Sequence, residues 1–223
     1  MHATLSMRFV RTLSRFVIVS CVRICRLLRL FDWQITKENT LPPAGQPLLF
    51  VSNHIEWHDI PFIGWAIPAR YNLWWFAKAE LFDHWMGWWF RCLPMIPVRR
   101  STGDTTALAA AIHRVSTGSP LVIFPEGTWD DGRILRAKTG VVRIALATNA
   151  LIVPLALTGR QQPLWFHKRT LRIGAPFRMG DLPSYIPSAS IDQQPIVALT
   201  TDVMHHITAL LPTEYHGYYT QTH

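Results

Sequence analysis

The chain is expected to be an α/β protein: a mostly parallel central sheet flanked by helices, preceded by a basic amphipathic helix. Three observations predict this. Apolar runs such as Leu48-Leu49-Phe50-Val51 lack the alternation of a half-exposed strand and suit strands covered on both faces. Helix-compatible segments separate these runs, as crossovers between parallel strands require. The first thirty residues hold six arginines, no acidic residue and a segregated apolar face.

The arginines are Arg8, Arg11, Arg15, Arg23, Arg26 and Arg29. At about 100° per residue they fall within an arc of roughly 120°. Phe9, Leu13, Phe16, Ile24 and Leu27 lie opposite, while Val19, Val22 and Leu30 intrude on the basic side. Arginine recurs to position 29, unlike the front-loaded charge of a cleaved signal peptide. The longest uncharged stretch, Phe16 to Val22, is seven residues, too short for the ~20 that span a bilayer. A membrane-associating helix in the headgroup plane is the expectation, with arginines on lipid phosphates and apolar residues in the acyl boundary. The alternative is a helix packed on its own domain with solvated arginines.

The expected organisation is a membrane-interface helix over 1–38, a linker over 39–47 with three prolines and a glycine, a domain over 48–212 and a tail over 213–223. Strands are expected at 48–52, 72–77, 121–125, 152–157 and 170–174. Asp59, with Pro61 behind it, predicts a helix N-cap. Asp104 caps a second predicted helix over 104–117, and 138–149 and 195–211 complete the set. Residues 180–194, rich in Pro and Ser, are expected to be irregular.

Length and charge bound the function. A chain of 223 residues suits one domain. Only 16% of residues are charged against roughly 25% in an average soluble domain, so either the core is unusually large or the surface meets something apolar. The net charge of +8 is concentrated in the first helix, which argues against a nucleic-acid groove along the domain. Seven tryptophans between Trp57 and Trp89 suggest an apolar surface shared with that helix. Cys21, Cys25 and Cys92 are too few and poorly spaced for a disulfide framework or zinc site, which favours a reducing compartment.

Candidate chemistry clusters after the predicted strands. His54 and Asp59 follow the first, and a histidine oriented by a carboxylate can take a proton from an alcohol near neutral pH. Pro125 should end the third strand, and Gly127 permits a reversal that leaves Glu126 and Thr128 at the same sheet edge. Ile96-Pro97-Val98-Arg99-Arg100 ends in two guanidiniums, groups suited to phosphate or carboxylate. Arg136 and Lys138 offer further anion contacts. The segment His54-x-Glu56-x-His58-Asp59 lacks the adjacent His-Glu of a zinc helix, so no metal is expected.

Together these motifs resemble the glycerolipid acyltransferase family that includes the 1-acyl-glycerol-3-phosphate acyltransferases. The resemblance rests on Asn53-His54 with Asp59, Ile96 to Arg100, Phe124-Pro125-Glu126-Gly127-Thr128 and Leu151-Ile152-Val153-Pro154-Leu155, in the family's order and at similar spacing. It covers roughly residues 48–178. It implies acyl transfer from a thioester, on coenzyme A or acyl carrier protein, to a lysophospholipid hydroxyl, most simply lysophosphatidate, with no cofactor. His54 would be the base and Asp59 its orienting partner, while Arg100, Glu126, Gly127, Thr128 and Lys138 would bind substrate. The implied setting is the cytoplasmic face of the cell membrane, peripheral or monotopic. Ile55 and Glu56 depart from the family's usual residues, as does Trp129, where an arginine is common; another lysolipid acceptor, such as a lyso-aminolipid, or a non-catalytic lipid-binding protein is the alternative.

Overall fold

The computed structural model describes residues 2–28, 31–37, 40–99, 103–129, 132–159 and 167–220. Helix α1 (His2–Leu27) is followed by β1 (Phe31–Lys37), β2 (Leu48–Ser52), α2 (Asp59–Ala66), β3 (Trp74–Lys78) and α3 (Gly87–Cys92). Then come β4 (Met95–Val98), α4 (Thr105–Ser116), β5 (Leu121–Ile123), α5 (Gly140–Thr148), β6 (Leu151–Thr158), β7 (His167–Ile173) and α6 (Ile196–Thr208). The strands form one sheet in the order β1-β7-β6-β2-β5-β3-β4, parallel throughout except between β6 and β7.

The sheet is covered on both faces, which explains the unbroken apolar runs. Leu49 and Val51 join residues of α4, α5 and α6 in one core, whereas Leu48 and Phe50, pointing the other way, meet Val22 of α1 and Phe62 and Ile63 of α2. Phe62 is fully buried, and truncating such a side chain to Ala typically costs about 3–5 kcal/mol.

Local chemistry sets the boundaries. Asp104 caps α4 as expected, its side chain accepting from the Ala107 amide. Asp59 does not cap α2: it is the helix's first residue, and its carboxylate turns back onto residues 54–56. Strand β5 stops ahead of Pro125, whereas β6 continues through Pro154 to Thr158. The sequence reading missed two strands. Residues 31–37, assigned to the first helix, instead form an edge strand paired with β7, so the sheet begins ahead of the 39–47 segment. The Ile-Pro-Val segment forms β4 at the opposite edge. The tail, to which no role was given, makes two short turns and hydrogen-bonds the loop after β5, through Ile134 to Tyr215 and Tyr218 and from the Ala137 amide to the Tyr219 hydroxyl.

Helix α1 packs on α2, α3 and β1 in an orientation neither reading foresaw. Arg11 and Arg15 face the domain, whereas Arg23 is exposed. Arg15 donates to the Ile67 and Ala69 carbonyls beyond the end of α2, where a cation also complements the helix dipole. Arg11 lies over the Trp74 ring, and the Trp89 indole donates to Ser14. Phe9, Leu13, Phe16, Val17 and Leu27 face outward and are exposed. Of the six arginines, Arg29 and the side chains of Arg8 and Arg26 lie outside what the structure describes.

Candidate active site

The parallel strands β2, β5 and β6 bring their carboxyl ends to one edge, and antiparallel β7 brings its start there. Asn53 ties this edge together: its side chain donates to the Leu157 carbonyl and accepts from the Leu157 amide, at 3.0 and 2.7 Å. His54 and Asp59 are therefore held by a loop anchored to the sheet.

His54 Nδ1 lies 2.8 Å from Asp59 Oδ2. The same oxygen accepts from the Ile55 and Glu56 amides at 2.6 and 2.9 Å, and Oδ1 accepts from Arg169 Nη1 at 3.1 Å. All four neighbours are donors, as a carboxylate anion requires. Asp59 is fully buried, so it needs such compensation. With Nδ1–H donating to Asp59, the lone pair of His54 sits on Nε2. The imidazole stacks on Phe124 at 4.0 Å and meets Trp129 edge-on at 4.7 Å, which restricts the ring to one orientation.

Glu126 reaches this loop from behind. Its Oε1 accepts from the His54 amide at 2.8 Å and its Oε2 from the Leu135 amide at 2.6 Å. Only 3% of it is exposed, and burial pushes its carboxyl up to about 7 against the opposing pull of those two amides. Both oxygens are engaged by backbone amides, so Glu126 braces the histidine loop. Gly127 turns the chain at φ +72°, a conformation favourable to glycine. A side chain there would meet Lys138, whose ammonium would lie 2.9 Å from an added Cβ. Lys138 and Thr128 are exposed at this rim. Arg100 lies outside the described residues; its neighbour Arg99 is exposed, its amide donating to Asp104.

Arg169 was missed from sequence. It is 3% exposed and forks between Asp59 Oδ1 and Glu56 Oε1, the latter at 2.6 Å, while its Nε donates to the Gly159 carbonyl at 3.4 Å. His58 Nδ1 also approaches Glu56 Oε1, at 3.1 Å, and burial pushes its imidazole below the ordinary histidine value. A signal existed. Arg169 stands two and four residues before Leu171 and Ile173, which are buried on one face of β7, so its period-2 position is a core position.

The geometry can do one thing directly: take a proton at His54 Nε2 while a buried carboxylate stabilises the resulting imidazolium. The model of the family described as Acyltransferase matches residues 32–158, beginning within β1. A lyso-ornithine lipid O-acyltransferase of Pseudomonas aeruginosa is 36% identical over 145 residues, 62% of this chain and 52% of that protein. A 1-acyl-sn-glycerol-3-phosphate acyltransferase of Cocos nucifera is 32% identical over 136 residues, 56% of this chain and 41% of that one. The chain thus spans about half the length of these relatives. The crystal structure of the 1-acyl-sn-glycerophosphate acyltransferase of Thermotoga maritima shares the fold, with a TM-score of 0.62 at 22% identity over 90% of this chain and 81% of that one. With the family match covering more than half its length and the motifs brought to one sheet edge, the chain belongs to the acyltransferase family.

Proposed function

We propose that the protein transfers an acyl group from a thioester to the hydroxyl of a lysolipid at a membrane surface. The observation that carries this is His54, oriented by Asp59 with its Nε2 lone pair unclaimed within the dyad. In the proposed reaction, the acceptor oxygen attacks the thioester carbonyl carbon as Nε2 takes the hydroxyl proton. The tetrahedral adduct collapses by breaking the carbon–sulfur bond, and the imidazolium returns the proton to the departing thiolate. Ester and thiol are the products, and the histidine is restored. A positioned base contributes about 10²–10⁴ in rate, and holding both substrates at the interface supplies more.

Each of two acceptor headgroups has a specific support. Lysophosphatidate suits the cationic rim at Lys138 and is the acceptor class in the name of the Cocos nucifera relative. An amine-bearing lysolipid suits Glu56, which stays 31% exposed beside the dyad, and lyso-ornithine lipid is the acceptor in the name of the Pseudomonas aeruginosa relative. Coenzyme A and acyl carrier protein are both suitable donors. The membrane reading is supported by the outward apolar side of α1 and by exposed Trp85 and Trp88. Among the described residues no helix is long and apolar enough to cross a membrane, which fits a helix lying in the interface.

The test is an acceptor panel: purified protein, labelled acyl-coenzyme A or acyl carrier protein, and lysophosphatidate, lyso-ornithine lipid or lysophosphatidylcholine in mixed micelles, with products identified by mass. His54→Ala should abolish product formation. Thioester consumption without any acylated lysolipid would refute the reading.

A further inference from the structure

We propose that Arg169 is a positioning residue for the dyad: by forking between Asp59 and Glu56 it ties the Asp59 carboxylate to strand β7 and so keeps the proton-accepting nitrogen of His54 turned outward. This rests on the reading of His54 as the base.

Stability is a weak reason for this arginine. Burying a guanidinium and ordering its long side chain both cost free energy, and buried ion pairs are often replaceable by apolar residues without loss. The geometry supplies a better reason. Asp59 Oδ2 carries three donors, His54, Ile55 and Glu56, all from the loop just before α2. Among the described residues Oδ1 has one hydrogen-bond partner, Arg169 Nη1, from a strand 110 residues away. The three donors on Oδ2 hold the carboxylate only to the loop that precedes it. The fourth, on the other oxygen, holds carboxylate and loop to the sheet. The Gly159 carbonyl accepts from the guanidinium, and Glu56 Oε1 holds it by charge at 2.6 Å from Nη2, a contact without hydrogen-bond alignment.

The experiment compares wild type with Arg169→Met, Arg169→Lys and His54→Ala. It measures kcat and KM for donor and acceptor, and the tautomer of His54 by imidazole ¹⁵N NMR in detergent, with His54→Ala identifying the resonance. Arg169→Met is expected to lower kcat about 10²-fold, short of the ~10⁴-fold that loss of the orienting carboxylate costs in a comparable pair. KM should stay within about twofold, and His54 should become a tautomer mixture. Arg169→Lys keeps the charge but loses the fork, and is expected to recover about tenfold of the lost rate. Wild-type kcat and tautomer in Arg169→Met would overturn the proposal. If that variant does not fold, Arg169→Lys decides: a kcat about tenfold below wild type supports the fork, and wild-type behaviour overturns it. Should wild type acylate no lysolipid, the acyl-transfer reading fails, and the His54 tautomer, read without turnover, still decides the role of Arg169.

Discussion

Asp59→Asn separates what the dyad does for the fold from what it does for chemistry. The amide oxygen should occupy the Oδ2 position, where three donors converge, leaving the NH2 against Arg169 Nη1 at about the present 3.1 Å. Two donors then face each other in a buried site. Breaking a buried ion pair by removing one partner costs about 3–5 kcal/mol. The lower end applies here because Arg169 keeps Glu56 and the Gly159 carbonyl, so about 3 kcal/mol is expected. For a chain of this size that is about 6–12 °C in Tm. Turnover should fall about 10⁴-fold, the typical consequence of losing the orienting carboxylate. Adding Arg169→Met removes the stranded cation, so the double variant should regain about 1–2 kcal/mol relative to the sum of the singles while turnover stays lost. Thermal unfolding in detergent reads the first quantity, and labelled acyl transfer reads the second. Strict additivity of the two stabilities, or an Asp59→Asn enzyme within tenfold of wild type, would refute the reasoning.

Two further outcomes follow from the structure. Because Glu126 has its carboxyl pushed up to about 7 from an ordinary 4.5, the native state holds a proton that the unfolded chain releases between these values. Its contribution to stability should be full below about pH 4.5 and lost as pH rises through about 7, a swing of roughly 3 kcal/mol. Denaturant unfolding of wild type and Glu126→Gln at pH 4 and pH 8 should show that difference shrinking with pH; a difference constant across pH would refute it. Because Arg11 and Arg15 face the domain, vesicle binding should depend on the apolar side of α1 more than on lipid charge. Phe9→Ser/Phe16→Ser should therefore weaken sedimentation with zwitterionic vesicles, whereas 0.5 M salt should change wild-type binding little. A double variant that binds normally while salt releases wild type would contradict this.

Much of the architecture was legible because strand and helix periodicities are local properties. The run at 48–52 and the break at Pro125 each declare a strand and its end within a few residues, and the placement of His54 beside Glu126 follows from parallel strands sharing one edge. What escaped was set at long range. Phe31-Asp32-Trp33-Gln34-Ile35 alternates in period 2, yet it follows a long basic helix without a strong break and was absorbed into it. The wheel for α1 separates two faces correctly, but no local rule says which face meets the domain. Here backbone carbonyls at the end of α2 and the ring of Trp74 offer Arg15 and Arg11 the partners that lipid phosphates were expected to supply. Glu126 was recognised as a site residue, but its brace on the His54 amide spans 72 residues and could not be inferred from spacing.

The two largest omissions, β1 and Arg169, are parts of one arrangement. In a wholly parallel sheet the first residues of β7 would lie at the edge away from His54. The antiparallel pairing of β6 with β7 places Thr158 opposite Thr170, which brings Arg169 beside Gly159 and level with the end of β2. The guanidinium then needs cover, since water at the Asp59–Arg169 contact would weaken the field that orients the dyad. Strand β1 supplies it by running parallel to β7 with Trp33 in register with Arg169. Trp33 is buried and stacks on Phe62 of α2, the helix that Asp59 begins. The reversed strand and its edge neighbour thus do for the carboxylate what the parallel strands do for the histidine, and a substitution that loosens β1 should reach the dyad through Arg169.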